Sequence, residues 1–273
     1  MQVKKMQMKP RVIVTRPHKE AAAWVERLTQ QGFDTTAVPL IDIAPAPDLA
    51  PLARAWAQLD DFDAVMFVSG NAVTHFFASQ PQGVTPPFTS AHSRPRAMVT
   101  GPGSYAALVA LGAAPQAIDA PALDGGQFDS ETLWQHVRGQ VTPGFRVLIV
   151  RGDSGEQGSL AQGVGRDWFA QQVAGAGGQC AFVVAYQRLA PVWSLQEKNS
   201  IIAAATDGSF WLLSSTEALG NLIASLPEQH WQHAKAVATH PRIAKAARAA
   251  GFGTVLESRP LIQEVIASIE SSL

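Results

Sequence analysis

Cysteine occurs once in 273 residues, at Cys180, which excludes disulfides and any cluster of thiolates around a metal. Charge is sparse as well. Only 16% of residues are charged and the formal net charge is −1, so no basic stripe marks a nucleic-acid or membrane-surface protein. No stretch approaches the roughly 18 apolar residues of a membrane span. Met1-Gln-Val-Lys-Lys-Met-Gln-Met-Lys-Pro10 has no apolar core of signal-peptide length, and a cytoplasmic location is expected. The familiar chemical motifs are missing too. There is no Walker A sequence, and Gly101-Pro-Gly103 lacks the third glycine and downstream acid of a dinucleotide fingerprint. None of the seven histidines has a metal-ligand spacing; His230 and His233 flank Trp231 with no cysteine companion. No G-x-S-x-G elbow and no suggestive carboxylate pair is found. No metal and no cofactor is therefore expected, and any anionic ligand must be held by local geometry.

What is present is a repetition. Arg11-Val-Ile-Val-Thr-Arg-Pro17 returns as Arg146-Val-Leu-Ile-Val-Arg-Gly152, an offset of 135 residues. Asp63 to Val73 returns as Gly208 to Ala218 (offset 145), and Ala97 to Ser104 as Ala236 to Ile243 (offset 139). The period is too long for a solenoid and predicts two similar domains. The chain length and the 47% of hydrophobic residues can supply two buried cores.

Each phrase is a short apolar run followed by a helical pattern. Val12-Ile-Val14 predicts a strand buried on both faces, His18 to Gln31 a helix closed by Gly32, and Thr35 to Ile43 a second strand. In the second half, Val147 to Val150 is followed by a helix carrying Trp168, Phe169 and Val173, then by a strand from Cys180 to Tyr186. Alternation of strand and helix predicts parallel sheets in two doubly wound α/β lobes. Ala44 to Pro51 reads as a connector and Gln80 to Pro95 as a surface loop. Asp129 or Ser130 is placed to cap a helix. The Gly-rich stretch Ser154 to Gly165 is either a surface insertion or a lid. Trp24, Trp168 and Cys180 read as core residues.

Ligands of open α/β sheets sit beyond the carboxyl ends of the strands, at helix N-termini. Six such turns occur here: Thr15-Arg-Pro-His18, Ser69-Gly-Asn71, Thr100-Gly-Pro-Gly-Ser104, Arg151-Gly-Asp153, Ser214-Ser-Thr216 and Thr239-His-Pro-Arg242. Small, hydroxylated and glycine-bearing, with three arginines, they suit a ligand with several carboxylates or phosphates bound through backbone amides. Ordinary helix capping would use the same residue types.

Taken in order, Thr-Arg-Pro after the first strand, Phe67-Val-Ser-x-Asn-Ala-Val73, Gly-Pro-x-Ser, Val-Arg-Gly and Tyr186-Gln-Arg188 resemble the uroporphyrinogen-III synthase family, from Arg11 to about Phe252. The resemblance implies two flavodoxin-like, doubly wound parallel-sheet domains facing each other across a cleft. It places 1–40 with 189–273 in one domain, 43–186 in the other, and the joining strands at 40–44 and 186–190. It implies a cofactor-independent cyclisation of a linear hydroxymethyl tetrapyrrole with eight carboxylates, inverting the last ring and releasing water. The enzyme would work as a monomer that receives its substrate from the preceding enzyme. Tyr186 is the implied proton donor. Arg16, Ser69, Asn71, Thr100, Gly101, Ser104, Arg151, Ser214, Ser215, Thr239 and His240 are the implied substrate-binding residues, with Ser69 and Ser214 a matched pair. His240 and Ile243 depart from the Gly and Thr common in the family, and Gly70 from a common Pro. The rivals to this reading are a non-enzymatic two-lobed binding module and a two-domain transferase of glycosyl or nucleotide groups.

Overall fold

A computed structural model describes residues 9–122, 128–153 and 164–273. In chain order the elements are β1 (Arg11–Val14), α1 (His18–Gln30), β2 (Asp34–Ala37), β3 (Asp42–Pro45), α2 (Ala50–Ala57), β4 (Ala64–Phe67), α3 (Gly70–Ala78), β5 (Arg96–Val99), α4 (Pro102–Ala110) and β6 (Ile118–Asp119). There follow α5 (Ser130–Val137), β7 (Arg146–Asp153), α6 (Val164–Gly175), β8 (Gln179–Leu189), α7 (Leu195–Ala204), β9 (Phe210–Leu213), α8 (Thr216–Ser225), β10 (Lys235–Ala238), α9 (Pro241–Ala249), β11 (Thr254–Glu257) and α10 (Ile262–Glu270).

The chain divides into two compact units, 1–42 with 189–273, and 43–188. The first holds a five-stranded sheet ordered β11-β10-β9-β1-β2, with registers parallel throughout. Counted within the unit this is the doubly wound 5-4-3-1-2 order. The second holds six strands ordered β3-β8-β7-β4-β5-β6, and β8 to β6 repeat that order with the chain entering elsewhere. Both are α/β folds with parallel-dominated sheets covered by helices, the class the alternating pattern predicts.

The sheets are buried on both faces because their central strands carry apolar residues at every position. In the second unit Val65, Phe67, Val99, Leu148 and Val150 face one core, joined by Trp56, Phe76 and Phe88. Ala64, Met66, Met98, Val147 and Ile149 face the other, closed by Leu133, Phe169 and Val173. In the first unit Val12, Val14, Phe210, Leu212 and Val237 pack under α1 and α10 residues Leu28, Val265 and Ile269. Each fully buried Leu, Val, Ile or Phe contributes about 1.5–3 kcal/mol, so every sheet is held from two sides.

Several local expectations need correction. The strand predicted over 35–43 is two strands in two sheets. β2 ends at Ala37, Pro39 has no N–H to extend the ladder, and the chain restarts as β3 at Asp42. The connector beginning at Ala44 is therefore partly strand, and Pro51 lies in the first turn of α2. Arg151-Gly-Asp153 is no turn but the end of β7, paired with β8, which continues past Tyr186 to Leu189. The helix after β1 stops at Gln30 with Gln31 as its cap, and Gly32 follows in the left-handed conformation (φ 85°). Asp129 caps α5 by accepting from the Thr132 N–H at 2.8 Å. Gln80 to Pro95 forms neither helix nor strand, but it delivers the buried Phe88. Cys180 packs at the edge of a core cluster, where burial pushes its thiol up to about 11. Of the Gly-rich stretch Ser154 to Gly165, residues 154–163 lie outside the described residues.

Candidate functional site

In the second unit the parallel strands β7, β4 and β5 lie side by side, so the turns that follow β4 and β5 emerge at one edge. Ser69 caps α3, its Oγ accepting from the Ala72 N–H at 3.1 Å, and Gly70 and Asn71 form the first turn. Gly101 caps α4 without a side chain, leaving the first-turn amides of Gly103 and Ser104 with no side-chain acceptor. A Cβ on Gly70 would sit 3.5 Å from the Gly103 carbonyl oxygen, so the two turns touch through glycine. Thr100 is half-buried, and Ser104 is buried at the third position of α4.

Tyr186 joins this group from β8. Its ring is buried, its hydroxyl lies 3.1 Å from Ser69 Oγ, and its face stacks on the His75 imidazole at 5.7 Å. Across the sheet Tyr186 opposes Gly152. The structure thus brings Tyr186, Ser69, Gly70, Gly103 and Gly152 into one place.

Arg151 stands apart. Its side chain leaves the opposite face of β7, with the guanidinium 5.2 Å from the Phe182 ring. Arg151 is only 9% exposed, and its buried Nε has no hydrogen-bond partner among the described residues. Arg16, at the equivalent position after β1, is half-buried: its guanidinium is 4.6 Å from Trp24, Nη1 pairs with Glu20 at 3.2 Å, and its Nε alone is buried without a partner among the described residues. A buried cation with an unmet donor is costly unless a ligand meets it.

In the first unit the turns after β1, β9 and β10 lie side by side on adjacent parallel strands. Thr15 Oγ1 donates to the Leu212 carbonyl at 2.6 Å and the Thr239 N–H donates to that of Leu213 at 3.1 Å, lashing the three turns together. Ser215, not Ser214, caps α8. By element boundaries Ser69 therefore corresponds to Ser215 at an offset of 146, and the pairing with Ser214 is one residue out of step. His240 caps α9, its Nδ1 accepting from the Arg242 N–H at 3.0 Å. Ile243 fills the position of Ser104 and is buried.

Sequence reasoning missed His75 and the particular role of Gly152, because both act through contacts between elements distant in the chain. A cavity of about 310 Å³ beside β2, lined by Arg11, His18, Thr36, Asp42, Trp193 and Glu197 among others, holds none of the predicted site residues. Among the described residues no group of three or more His, Cys, Asp or Glu could hold a metal ion, and no helix is long and apolar enough to cross a membrane.

Two doubly wound α/β units, each with helix N-terminal turns and an arginine whose Nε is buried at its strand ends, define the class as a two-unit, parallel-sheet α/β protein. A family model described as "Uroporphyrinogen-III synthase HemD" matches residues 22–267, and the chain belongs to the uroporphyrinogen-III synthase family. Its activity is that of a cyclising lyase of tetrapyrrole biosynthesis. The chain is 27% identical over 250 residues to a curated uroporphyrinogen-III synthase of Escherichia coli, spanning 88% of this chain and 92% of that one. A crystal structure of a mutant uroporphyrinogen III synthase from the extreme thermophile Thermus thermophilus shares the fold, with a TM-score of 0.53 at 13% identity, covering 96% of this chain and 98% of that one.

Proposed function

We propose that this chain closes the linear hydroxymethyl tetrapyrrole with eight carboxylates into the type III macrocycle. It inverts the last ring and releases water. The observation that carries the reading is the pair Arg16 and Arg151, each with a buried Nε that has no acceptor among the described residues, at equivalent strand ends. Carboxylates of the substrate meet these guanidinium groups and the uncapped amides of the α4 turn, while Ser69, Asn71, Thr100, Ser104, Ser214, Ser215, Thr239 and His240 shape the turns around them. Binding then rests mainly on backbone amides.

Tyr186 is the proposed proton donor. Ser69 Oγ already accepts from the Ala72 N–H, so its own proton is available to the phenol oxygen 3.1 Å away. The phenolic proton is then left for the departing hydroxyl. Protonated, that hydroxyl leaves as water with the C–O bonding electrons, giving a cation delocalised over the adjacent pyrrole. The substituted carbon of the terminal ring attacks this cation to form a spiro intermediate, which opens at the original bond and recloses through the ring's unsubstituted α-carbon; that carbon then loses its proton, which neutralises the macrocycle and restores the Tyr186 phenol. Spontaneous closure gives the wrong isomer, so the protein contributes chiefly by holding the reacting ring in place. We propose a cytoplasmic monomer that takes its reactive substrate from the enzyme of the preceding step.

The test supplies the linear tetrapyrrole, made enzymatically in the same vessel, and separates the ring isomers by chromatography. Type III product is expected. Only the type I isomer of spontaneous closure would remove the proposal.

A further inference from the structure

β7 and β8 run in simple parallel register from Arg146 opposite Gln179 to Arg151 opposite Val184. The register then slips, and Gly152 opposes Tyr186 instead of Ala185. Ala185 is thus the extra residue of a β-bulge, a device that re-aims the side chain after it. In unbroken alternation Tyr186 would lie on the face that carries Phe182, beside Arg151. The bulge puts it on the face of Val183 and Ala185, the face that packs against α3.

That placement is possible only because residue 152 has no side chain. A Cβ built on Gly152 would lie 2.4 Å from Tyr186 Cζ, 2.6 Å from Cε2 and 2.8 Å from the phenol oxygen. Real Cβ atoms do not come so close, so any larger residue must drive the ring away. The backbone of Gly152 is not in the left-handed region, which removes conformational freedom as the reason for glycine here. All three clashing atoms belong to the outer end of a side chain. The ring can therefore swing while the sheet stays, and it takes its oxygen away from Ser69.

We infer that Gly152 is a positioning residue for Tyr186: its missing side chain seats the phenol between Ser69 and His75. The inference rests on the proton role proposed above for Tyr186, and the experiment separates the two.

Biosynthetic 3-fluorotyrosine in a Tyr105→Phe background leaves Tyr186 as the one fluorinated residue of the two tyrosines. Gly152→Ala should move its ¹⁹F resonance, as Ser69→Ala does by removing the hydroxyl partner. It should also lower kcat toward that of Tyr186→Phe, roughly a hundredfold, with KM within about twofold. A folded Gly152→Ala protein whose resonance stays in place overturns the inference. A resonance that moves while kcat holds supports the placement and removes the proton role instead. If Gly152→Ala does not fold, the double variant Gly152→Ala/Tyr186→Ala decides. Recovery of a cooperative melt assigns the conflict to the ring, and no recovery overturns the inference.

Discussion

At the scale of single residues, Tyr186 and Arg151 carry opposite relations to stability. The Tyr186 ring is packed and its hydroxyl bonded to Ser69, so Tyr186→Phe should cost only about 1 kcal/mol of stability, one neutral hydrogen bond. A general acid contributes 10²–10⁴-fold; because the substrate releases its hydroxyl readily, the loss in kcat should fall near a hundredfold. Turnover within about threefold of the parent, with pure type III product, would make Tyr186 a packing residue. Arg151 is a buried cation over Phe182 whose Nε has no acceptor among the described residues, and such a group weakens the ligand-free fold. Arg151→Met keeps the length and removes the charge. The melting temperature should hold or rise while KM climbs about tenfold or more, the loss of a charge-assisted bond. A fall in melting temperature with KM unchanged would make Arg151 structural. Tyr186 was legible because its place in a motif names it. Gly152 was not, since the reason for glycine lies across a strand pair and one register slip.

Among the elements, the helix ends are the most readable parts. Ser194 and Glu197 form a capping box on α7. Hydrogen bonds from the Ser194 hydroxyl, and then from its backbone N–H, hold the Glu197 carboxyl below its ordinary value. A carboxyl lowered on folding stabilises the fold above its unfolded value, and that contribution is lost as pH falls through the folded value. Ser194→Ala should therefore destabilise at pH 7, and the penalty should shrink below about pH 4.5. Melts of both proteins at pH 7 and pH 3 check this; an equal penalty at both would detach Glu197 from the cap. Strand ends were less legible than helix ends. Apolar runs mark a strand's centre, but whether Gly152 and Asp153 continue it depends on a partner 34 residues away in β8. The switch of sheets near Pro39 was hidden for the same reason, because both flanking segments have strand-like composition.

At the scale of the whole molecule the repeat was the strongest signal, since three phrases in one order could arise only from similar units. Its 145-residue offset slipped by one against the observed 146 because Ser214-Ser215 offers two serines for one position. The two units differ in how the chain builds them. The unit of residues 43–188 is continuous and contains the six strands of its sheet, short only of Asp42 in β3 and Leu189 in β8, with both flanking cores. Expressed alone, 43–188 should give a cooperative thermal transition, whereas 189–273 should not, because β1 lies between β9 and β2 and is missing from it. A non-cooperative 43–188 fragment would show that its cores do not suffice. The same interleaving sets a schedule during translation. β1, with its buried Val12-Ile13-Val14, leaves the ribosome well before β9, its partner 196 or more residues on. At roughly 5–20 residues per second that apolar segment waits on the order of ten seconds or more while the other unit is made and can fold. A cell making this protein in quantity must therefore shield an unfinished sheet, and strain-dependent yield should follow the supply of ribosome-associated chaperones.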